Sequence, residues 1–149
     1  AQGDARRALP FLLKAWRLDP GHVATAINLA GAYILLGRHA EAIPLLEAAT
    51  SVEPGNAMIW MNLGAAYLGN LLLASEESQQ RAIAAFERAL ELQPNIPNVN
   101  YNLGLIYRDR KNWAAAREQF ERALAVNPAD RDAGTLLEEA RTFEAKEEQ

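Results

Sequence analysis

Apolar residues recur along most of this chain at intervals of three and four, which is the period of an amphipathic α-helix. Most of these segments end at a proline or a glycine, and the residue before a proline disfavours helical backbone geometry. The pattern predicts eight helices, at residues 4–18, 23–36, 40–52, 56–69, 75–92, 97–109, 113–126 and 130–146. Helix-forming residues are plentiful and β-branched residues are few, which favours an all-α fold.

Several residues predict where these helices begin, end or bend. Asp4 and Ser75 are predicted to cap helix N-termini, because their side-chain oxygens can accept hydrogen bonds from unpaired backbone amides. Gly37 is predicted to end the second helix. Pro10 and Pro44 lie inside predicted helices, 34 residues apart. We interpret both prolines as tolerated, outward-facing kinks rather than helix ends.

Two sets of anchor residues alternate along the helices. The first set combines a leucine, a small residue and a tyrosine: Leu29, Ala30 and Tyr33; Leu63, Gly64 and Tyr67; Leu103, Gly104 and Tyr107. The second set combines two alanines, a large apolar residue and a proline: Ala42, Leu46, Ala49 and Pro54; Ala82, Phe86, Ala89 and Pro94; Ala116, Phe120, Ala123 and Pro128. The small residues let paired helices approach closely. Because one pair cannot bury its own faces, the pairs are expected to stack.

These anchors resemble those of the tetratricopeptide-repeat family over about residues 3–128. The resemblance implies an all-α, right-handed α–α superhelix, a solenoid of about eight helices with a capping helix at its C-terminal end. It implies a single domain over 1–149, divided into a truncated repeat at 3–21, repeats at 22–55, 56–95 and 96–128, and a cap at 129–149. A plain helical bundle is the rival interpretation, but it does not require a small residue in every pair.

The middle repeat departs from this regularity. Ala82 follows Tyr67 by 15 positions, whereas the corresponding spacing in the other repeats is 9. The six-residue insertion contains three consecutive leucines, 71–73. One interpretation is that longer helices pack these leucines against each other. The other is a protruding apolar edge, offered to a partner or to a second copy of the chain.

The first repeat also departs from the regular repeat pattern. Gly3 is predicted to lie in the turn between two paired helices, as Gly37 does, so the first helix of that repeat is missing. The apolar face with Leu9, Leu12 and Trp16 is then expected to lack its usual neighbour. Either the chain is a piece of a longer array of repeats, or this end docks onto another molecule. A corollary is that the chain can self-associate through its open N-terminal end.

Composition and motifs predict no catalytic chemistry. The formal net charge of −4 argues against a nucleic-acid or anionic-membrane partner, and no apolar run is long enough for membrane insertion. The chain has no cysteine, so disulfides, thiolate chemistry and cysteine zinc sites are excluded, although the compartment is not thereby fixed. His22 and His39 lie in predicted turns without a second ligand at helical zinc spacing. With no glycine-rich phosphate loop and no nucleophile elbow, we expect no catalytic site, no metal and no cofactor, and hence not an enzyme.

The resemblance implies that the first helix of each pair lines a concave binding groove. Asn28, Asn62 and Asn102, which precede the leucine of each signature, are expected to form a ladder along it. The other groove positions singled out are Ile27, Met58, Met61, Asn98, Tyr101, Leu105 and Arg108. An asparagine amide both donates and accepts hydrogen bonds, so it suits the main chain of an extended peptide. The alternative is that these asparagines only satisfy the neighbouring helix.

Some relatives grip a C-terminal carboxylate with lysine, asparagine and arginine in this groove. Here Ile27 and Gly31 stand where the first repeat would supply lysine and asparagine, and Asn98 and Asn102 where the third would supply lysine and arginine. The clamp is therefore absent, and acidic chaperone tails are not expected ligands. The sequence favours a protein-interaction module that binds an extended apolar peptide or an amphipathic helix. The alternatives are a scaffolding segment of a larger multidomain enzyme or signalling protein, and a self-assembling structural module.

Overall fold

The computed structural model describes residues 1–147 and residue 149. The residues it describes form eight α-helices and one short 3₁₀ helix, and none of them lies in a β-strand. The α-helices are α1 (Gln2–Leu18), α2 (Val23–Leu35), α3 (His39–Val52), α4 (Ala57–Leu68), α5 (Glu76–Leu92), α6 (Val99–Asp109), α7 (Trp113–Val126) and α8 (Arg131–Glu147). The prediction of an all-α fold with eight helices is confirmed.

The helices fall into two compact units, Ala1–Leu92 with α1 to α5 and Gln93–Gln149 with α6 to α8. In the first unit each helix packs against the next, and α2 also packs against α4. The anchor residues supply much of its core, including Leu29, Ala30, Tyr33, Ala42, Leu46, Ala49 and Leu63. In the second unit α7 packs against α6 and α8. The division of 1–149 as a single domain stays a prediction.

A ring on the second helix of a pair fills the space that a glycine leaves on the first. In the α4–α5 pair, a Cβ placed on Gly64 would lie 2.6 Å from the ring of Phe86. In the α6–α7 pair, a Cβ on Gly104 would lie 2.5 Å from the ring of Phe120. Both rings are completely buried. Glycine is needed here because any side chain would occupy the volume of the ring.

The α2–α3 pair meets the same requirement with a different combination of sizes. Its large residue is Leu46 and its small residue is Ala30, and both are completely buried. A leucine is smaller than a phenylalanine, so the opposing helix can carry one methyl group. The three pairs therefore keep the summed volume of the contact nearly constant, as close packing requires.

Polar contacts of signature residues hold α3, α4 and α5 together. The hydroxyl of Tyr67 donates to Glu47 Oε1 at 2.7 Å, and Arg81 donates to the same oxygen at 3.1 Å. The Arg81 guanidinium also lies 4.0 Å from the centre of the Tyr67 ring. Burial, followed by the hydrogen bond to Glu47, raises the pKa of the Tyr67 phenol. At the start of α4, Trp60 Nε1 donates to the carbonyl of Pro54 at 2.9 Å, which ties this tryptophan to the preceding turn.

The last helix docks on α7 through one aromatic contact and several ion pairs. The rings of Trp113 and Phe143 stack with their centres 4.5 Å apart. Arg117 on α7 donates to Glu144 on α8 at 2.7 Å. Because both contacts join the two helices, they fix the orientation of α8 on α7 as well as its distance from α7.

The insertion in the middle repeat lengthens one helix and exposes its leucines. α5 has 17 residues against 14 in α3 and in α7, so part of the insertion extends its N-terminus. The rest forms a turn at Gly69 (φ +57°) and the 3₁₀ helix Leu71–Leu73, which Asn70 caps through a 3.0 Å bond from the Leu72 amide. Leu72 and Leu73 are 86% and 82% exposed. The interpretation that longer helices pack these leucines is wrong, because a left-handed glycine ends α4 before them.

Two predicted helix starts are also wrong. α1 begins at Gln2 with Ala1 in the capping position, so Asp4 lies in the first turn instead of capping it, and Gly3 is helical instead of forming a turn. An acidic residue in the first turn still stabilises the helix through its dipole, which permits the earlier start. α6 begins at Val99, after Pro97 and not with it, because Asn98 adopts the left-handed conformation (φ +66°).

Other local predictions are confirmed. Ser75 Oγ accepts a hydrogen bond from the Ser78 amide at 3.1 Å, as an N-cap does. Gly37 follows α2 with φ +72°, the left-handed geometry that ends a helix. Pro10 and Pro44 lie inside α1 and α3, and both are exposed.

The glycine–ring contact predicts a compensating pair of substitutions. Gly64→Ala is expected to lower the free energy of unfolding by about 1–2 kcal/mol, because overpacking outweighs the ~1 kcal/mol gain in helix propensity. Phe86→Leu alone is expected to cost about 1 kcal/mol through the space it leaves. The double variant reproduces the Ala30–Leu46 combination and should be more stable than the sum of the single changes predicts, by about 1 kcal/mol. Urea unfolding of the four proteins measures this coupling. Strict additivity, or a stabilising Gly64→Ala, would contradict the role given to the contact.

The ion pairs of α8 predict a dependence of stability on pH. The hydrogen bond from Arg141, joined by that from Arg117, lowers the pKa of Glu121. The stabilisation is therefore present above the ordinary glutamate pKa and lost as the pH falls through the lowered one. Glu121→Gln is expected to lower the thermal midpoint at neutral pH, and the difference from the unchanged protein should vanish in acid. Glu118→Gln is the matched control, since Glu118 pairs with Arg122 on its own helix. A difference that persists unchanged in strong acid would contradict the assignment.

Candidate functional site

An open groove of about 560 Å³ lies in the first unit between α1, α2 and α4. Its lining is mostly small or aliphatic: Ala1, Ala5, Ala8, Leu12, Ile27, Gly31, Ala32, Leu35 and Met58, with Asp4, Asn28 and Asn62 as the polar members. Grooves of this volume that are apolar with a few polar groups are typical ligand sites.

Small residues give the groove its depth. A Cβ placed on Gly31 would meet no atom within 4 Å, so the space above this residue is free. Ala8 on α1 and Ala32 on α2 also line the groove with single methyl groups. Gly31 thus differs from Gly64, whose missing side chain makes room for a ring of the protein itself.

Two asparagines of the predicted ladder line this groove with unengaged amides. Asn28 is exposed and Asn62 is half-buried. Among the residues that the structure describes, neither side chain has a hydrogen-bond partner. Asn102, in the second unit, donates from Nδ2 to the Asn98 carbonyl at 2.9 Å. Asn102 thus bonds to the first turn of its own helix, and this bond is neither the ladder contact nor the contact with a neighbouring helix that was its alternative.

The predicted apolar positions of the first unit divide between the groove and its surroundings. Ile27 and Met58 line the groove, and Met58 is 43% exposed. Met61 is half-buried on α4 and is not part of the lining. A methionine side chain adapts its shape to a ligand more readily than a branched one does.

The predicted site residues of the second unit serve contacts within that unit. Arg108 donates to both carboxylate oxygens of Glu139 on α8, at 2.8 and 3.0 Å. Leu105 packs on the core around Phe120. Tyr101 meets the Phe120 ring edge-on with centres 6.1 Å apart, and burial, then the charges of nearby aspartates, raises the pKa of its phenol. Asn98 and Tyr101 line a cavity of about 50 Å³, which has room for ordered water.

The sequence missed the part that α1 plays in this site. The face with Leu9, Leu12 and Trp16 packs partly against the first unit's core, and Leu12 also lines the groove, while the expectation that this face lacks its usual paired helix stays a prediction. The side chains left without cover are Phe11 and Leu18, which are 75% and 79% exposed. A helical projection of α1 that extends the apolar face beyond Ala8 and Ala15 would have found them.

The residues that the structure describes contain no group of three or more histidine, aspartate or glutamate side chains that could hold a metal ion. None of their helices combines the length and the apolar character that crossing a bilayer requires.

Comparison with known proteins gives two family models that match the sequence, both described as tetratricopeptide repeat. One matches residues 1–66 and the other residues 68–141. No curated protein matches the sequence.

Several solved structures share the fold. TTC0263, a thermophilic TPR protein of Thermus thermophilus, is 23% identical over 94% of this chain and 74% of its own, with a TM-score of 0.76. MamA is 26% identical over 97% of this chain and 91% of its own, with a TM-score of 0.70. The first TPR of Spaghetti (RPAP3), bound to an HSP90 peptide, is 19% identical over 83% of this chain and 95% of its own, with a TM-score of 0.72. These likenesses confirm the predicted solenoid fold class.

The free space above Gly31 predicts a substitution that stabilises the protein. Gly31→Ala is expected to raise the free energy of unfolding by about 0.5–1 kcal/mol, because alanine gains helix propensity and meets no obstacle. Urea unfolding measures the change, with Gly64→Ala as the comparison of opposite sign. A loss of stability in Gly31→Ala would show that the groove is closed in solution.

Proposed function

Because the chain belongs to the tetratricopeptide-repeat family, whose repeats generally mediate protein–protein interaction, we propose that it is a protein-binding module. Its ligand is an extended apolar peptide or an amphipathic helix of a partner protein, held in the groove between α1, α2 and α4. The observation that carries the proposal is an apolar groove with two unengaged asparagine amides in its lining.

The lining suits a peptide in two ways. Ile27, Leu35 and Met58 offer apolar surface, and burial of apolar side chains stabilises a complex by roughly 25 cal/mol per Å² before the costs of association. Asn28 and Asn62 each offer a donor and an acceptor, which an extended main chain needs because its own amide and carbonyl groups are unpaired.

We assign the proposed site to the first unit. Asn102 and Arg108 already make hydrogen bonds within the second unit, so using them for a ligand requires those bonds to break. An unengaged amide carries no such cost. A ligand site that also uses Asn102 is therefore less favourable than one formed by Asn28 and Asn62 alone.

The carboxylate-gripping mode is not proposed for this chain. The Spaghetti structure holds an HSP90 peptide, but the resemblance implies that such a grip needs cationic side chains in the groove. This chain has Ile27 and Gly31 at the first-repeat positions, and both line the apolar groove. An apolar ligand suits these residues, and an acidic tail does not.

We further propose that the chain has no catalytic activity of its own, as is typical of the family. A scaffolding role is the second candidate, and one observation favours it. The first unit exposes apolar side chains in two places, Phe11 and Leu18 on α1 and Leu72 and Leu73 in the insertion. Two such places could hold two neighbours at once. Leu72→Ser with Leu73→Ser separates this role from groove binding, because it removes one of the two places and leaves the groove intact.

The groove proposal predicts the effect of removing the amides. Peptides selected against the purified chain from a random display library are expected to be apolar. Asn28→Ala with Asn62→Ala should weaken their binding roughly 30-fold, since each lost pair of hydrogen bonds is worth about 1 kcal/mol. Fluorescence polarisation with a labelled selected peptide measures the change.

Two controls accompany this experiment. Asn102→Ala should leave the affinity within about twofold, because that side chain already bonds to its own helix. Gly31→Leu should abolish binding without unfolding the chain, because its side chain enters the groove. Equal affinity in the Asn28→Ala/Asn62→Ala variant, or preference for an acidic chaperone-tail peptide, would overturn the proposed mode.

A further inference from the structure

A cavity of the second unit lies against the first turn of α6. The inner part of its lining is buried, since Ile96, Asn100 and Ala123 are 1%, 4% and 8% exposed. Pro97 and Asn98, which also line it, are exposed. A small group of another molecule can therefore enter the cavity from solvent.

The first turn of α6 supplies polar groups that lack partners. A helix leaves its first backbone amides unpaired unless a cap accepts from them. At α6 these are the amides of Val99, Asn100 and Tyr101, and no group of the described residues accepts from them, since the capping residue Asn98 makes no side-chain bond. The side-chain oxygen of Asn100 has no partner either. Because Val99 and Asn100 are buried, these groups require a polar occupant of the cavity.

A carboxylate supplies the opposite chemistry. Asp130 lines the cavity, and its Oδ1 accepts from the Ala133 amide at 3.0 Å as the cap of α8. The lining residues include no cation. The carboxylate repels an anion, and the positive end of the α6 dipole disfavours a cation. The occupant that suits both is a neutral group that accepts hydrogen bonds at one end and donates them at the other.

We propose that this cavity binds a primary carboxamide, the end of a glutamine or asparagine side chain of a partner protein. Its carbonyl accepts from the α6 amides, and its amino group donates to Asp130. A water requires at least roughly 10–15 Å³, so a cavity of about 50 Å³ has room for about four such atoms, the number in a carboxamide with one methylene. The site belongs to the second unit and does not depend on the groove of the first.

The first unit contains a cavity of the same size, also about 50 Å³, that serves as an internal control. Four of its lining residues stand 74 positions before four of the second cavity: Val23, Ala26, Ala49 and Val52 before Pro97, Asn100, Ala123 and Val126. Its lining has no side-chain amide and no carboxylate. The adjacent helix α2 is capped, because His22 accepts from the Thr25 amide at 3.2 Å. We expect no carboxamide to bind there.

The test is an NMR titration of the isotopically labelled chain with N-acetylglutamine N-methylamide. The glutamate and alanine analogues of this compound are the matched ligands. The glutamine compound is expected to shift the amides of Val99, Asn100 and Tyr101 to saturation and to leave those of α2 unchanged. It should bind at least about tenfold more tightly than the glutamate compound, because Asp130 repels a second carboxylate. The alanine compound, which lacks the carboxamide, should cause no such shifts.

Three variants locate the site. Asn100→Trp should abolish the shifts by filling the cavity, since Trp60 stands at the equivalent position, 40 residues earlier. Asn100→Leu keeps the side-chain volume and should weaken binding at least about threefold, because it removes the amide. Asp130→Asn keeps a cap for α8 and should bring the glutamine and glutamate compounds within about threefold of each other. Circular dichroism verifies that each variant folds.

Several results would overturn the inference. Equal affinity for the glutamine and alanine compounds would show that the carboxamide is not recognised. Tighter binding of the glutamate compound to the unchanged protein would make this an anion site. Absence of shifts with every compound would mean that the cavity holds water only. Shifts that survive in a folded Asn100→Trp variant would place the binding elsewhere. The first three results come from the unchanged protein, so they do not depend on whether a variant folds.

Discussion

A buried ring set against a glycine on the neighbouring helix fixes how closely the two helices of a pair approach. Gly64 with Phe86 and Gly104 with Phe120 make this contact once in each unit. Helices separated by ordinary side chains lie farther apart, and the alanines of the second helix would then lose their contacts. Much of the buried core of each pair consists of such alanines, which pack only at short range. The repeating pattern in the sequence thus keeps the distance between paired helices constant. A larger residue on one helix is matched by a smaller residue on the other.

The same constraint determines where a ligand could bind. The large side chains of the second helices pack inside the pairs. The first helices α2 and α4 carry small residues and amides on the face that points away from the second helices. Gly31 shows the difference clearly, since nothing fills the space above it. A groove results without any loop or insertion to build it.

Much of the fold follows from the sequence because its signals are local and repeated. The end of α2 at a left-handed glycine and the cap at Ser75 depend only on neighbouring residues. The start of α1 was predicted wrongly, and the insertion was left with two alternatives, because both depend on which competing local geometry is the more stable. Gly3 can form a turn or a helix, and no packing contact decides between them. The pairing of Arg108 with Glu139 joins residues that are 31 apart, so it depends on the rotation of α8 and not on a local pattern.

The central claim is that the groove of the first unit is the ligand site. Backbone NMR of the isotopically labelled chain, titrated with a display-selected apolar peptide, tests it most directly. We expect shifts concentrated at groove residues of α1, α2 and α4, among them Ile27, Gly31 and Met58, with the amides of α7 and α8 unchanged. Shifts concentrated in Trp113–Val126 or in α8 would contradict it.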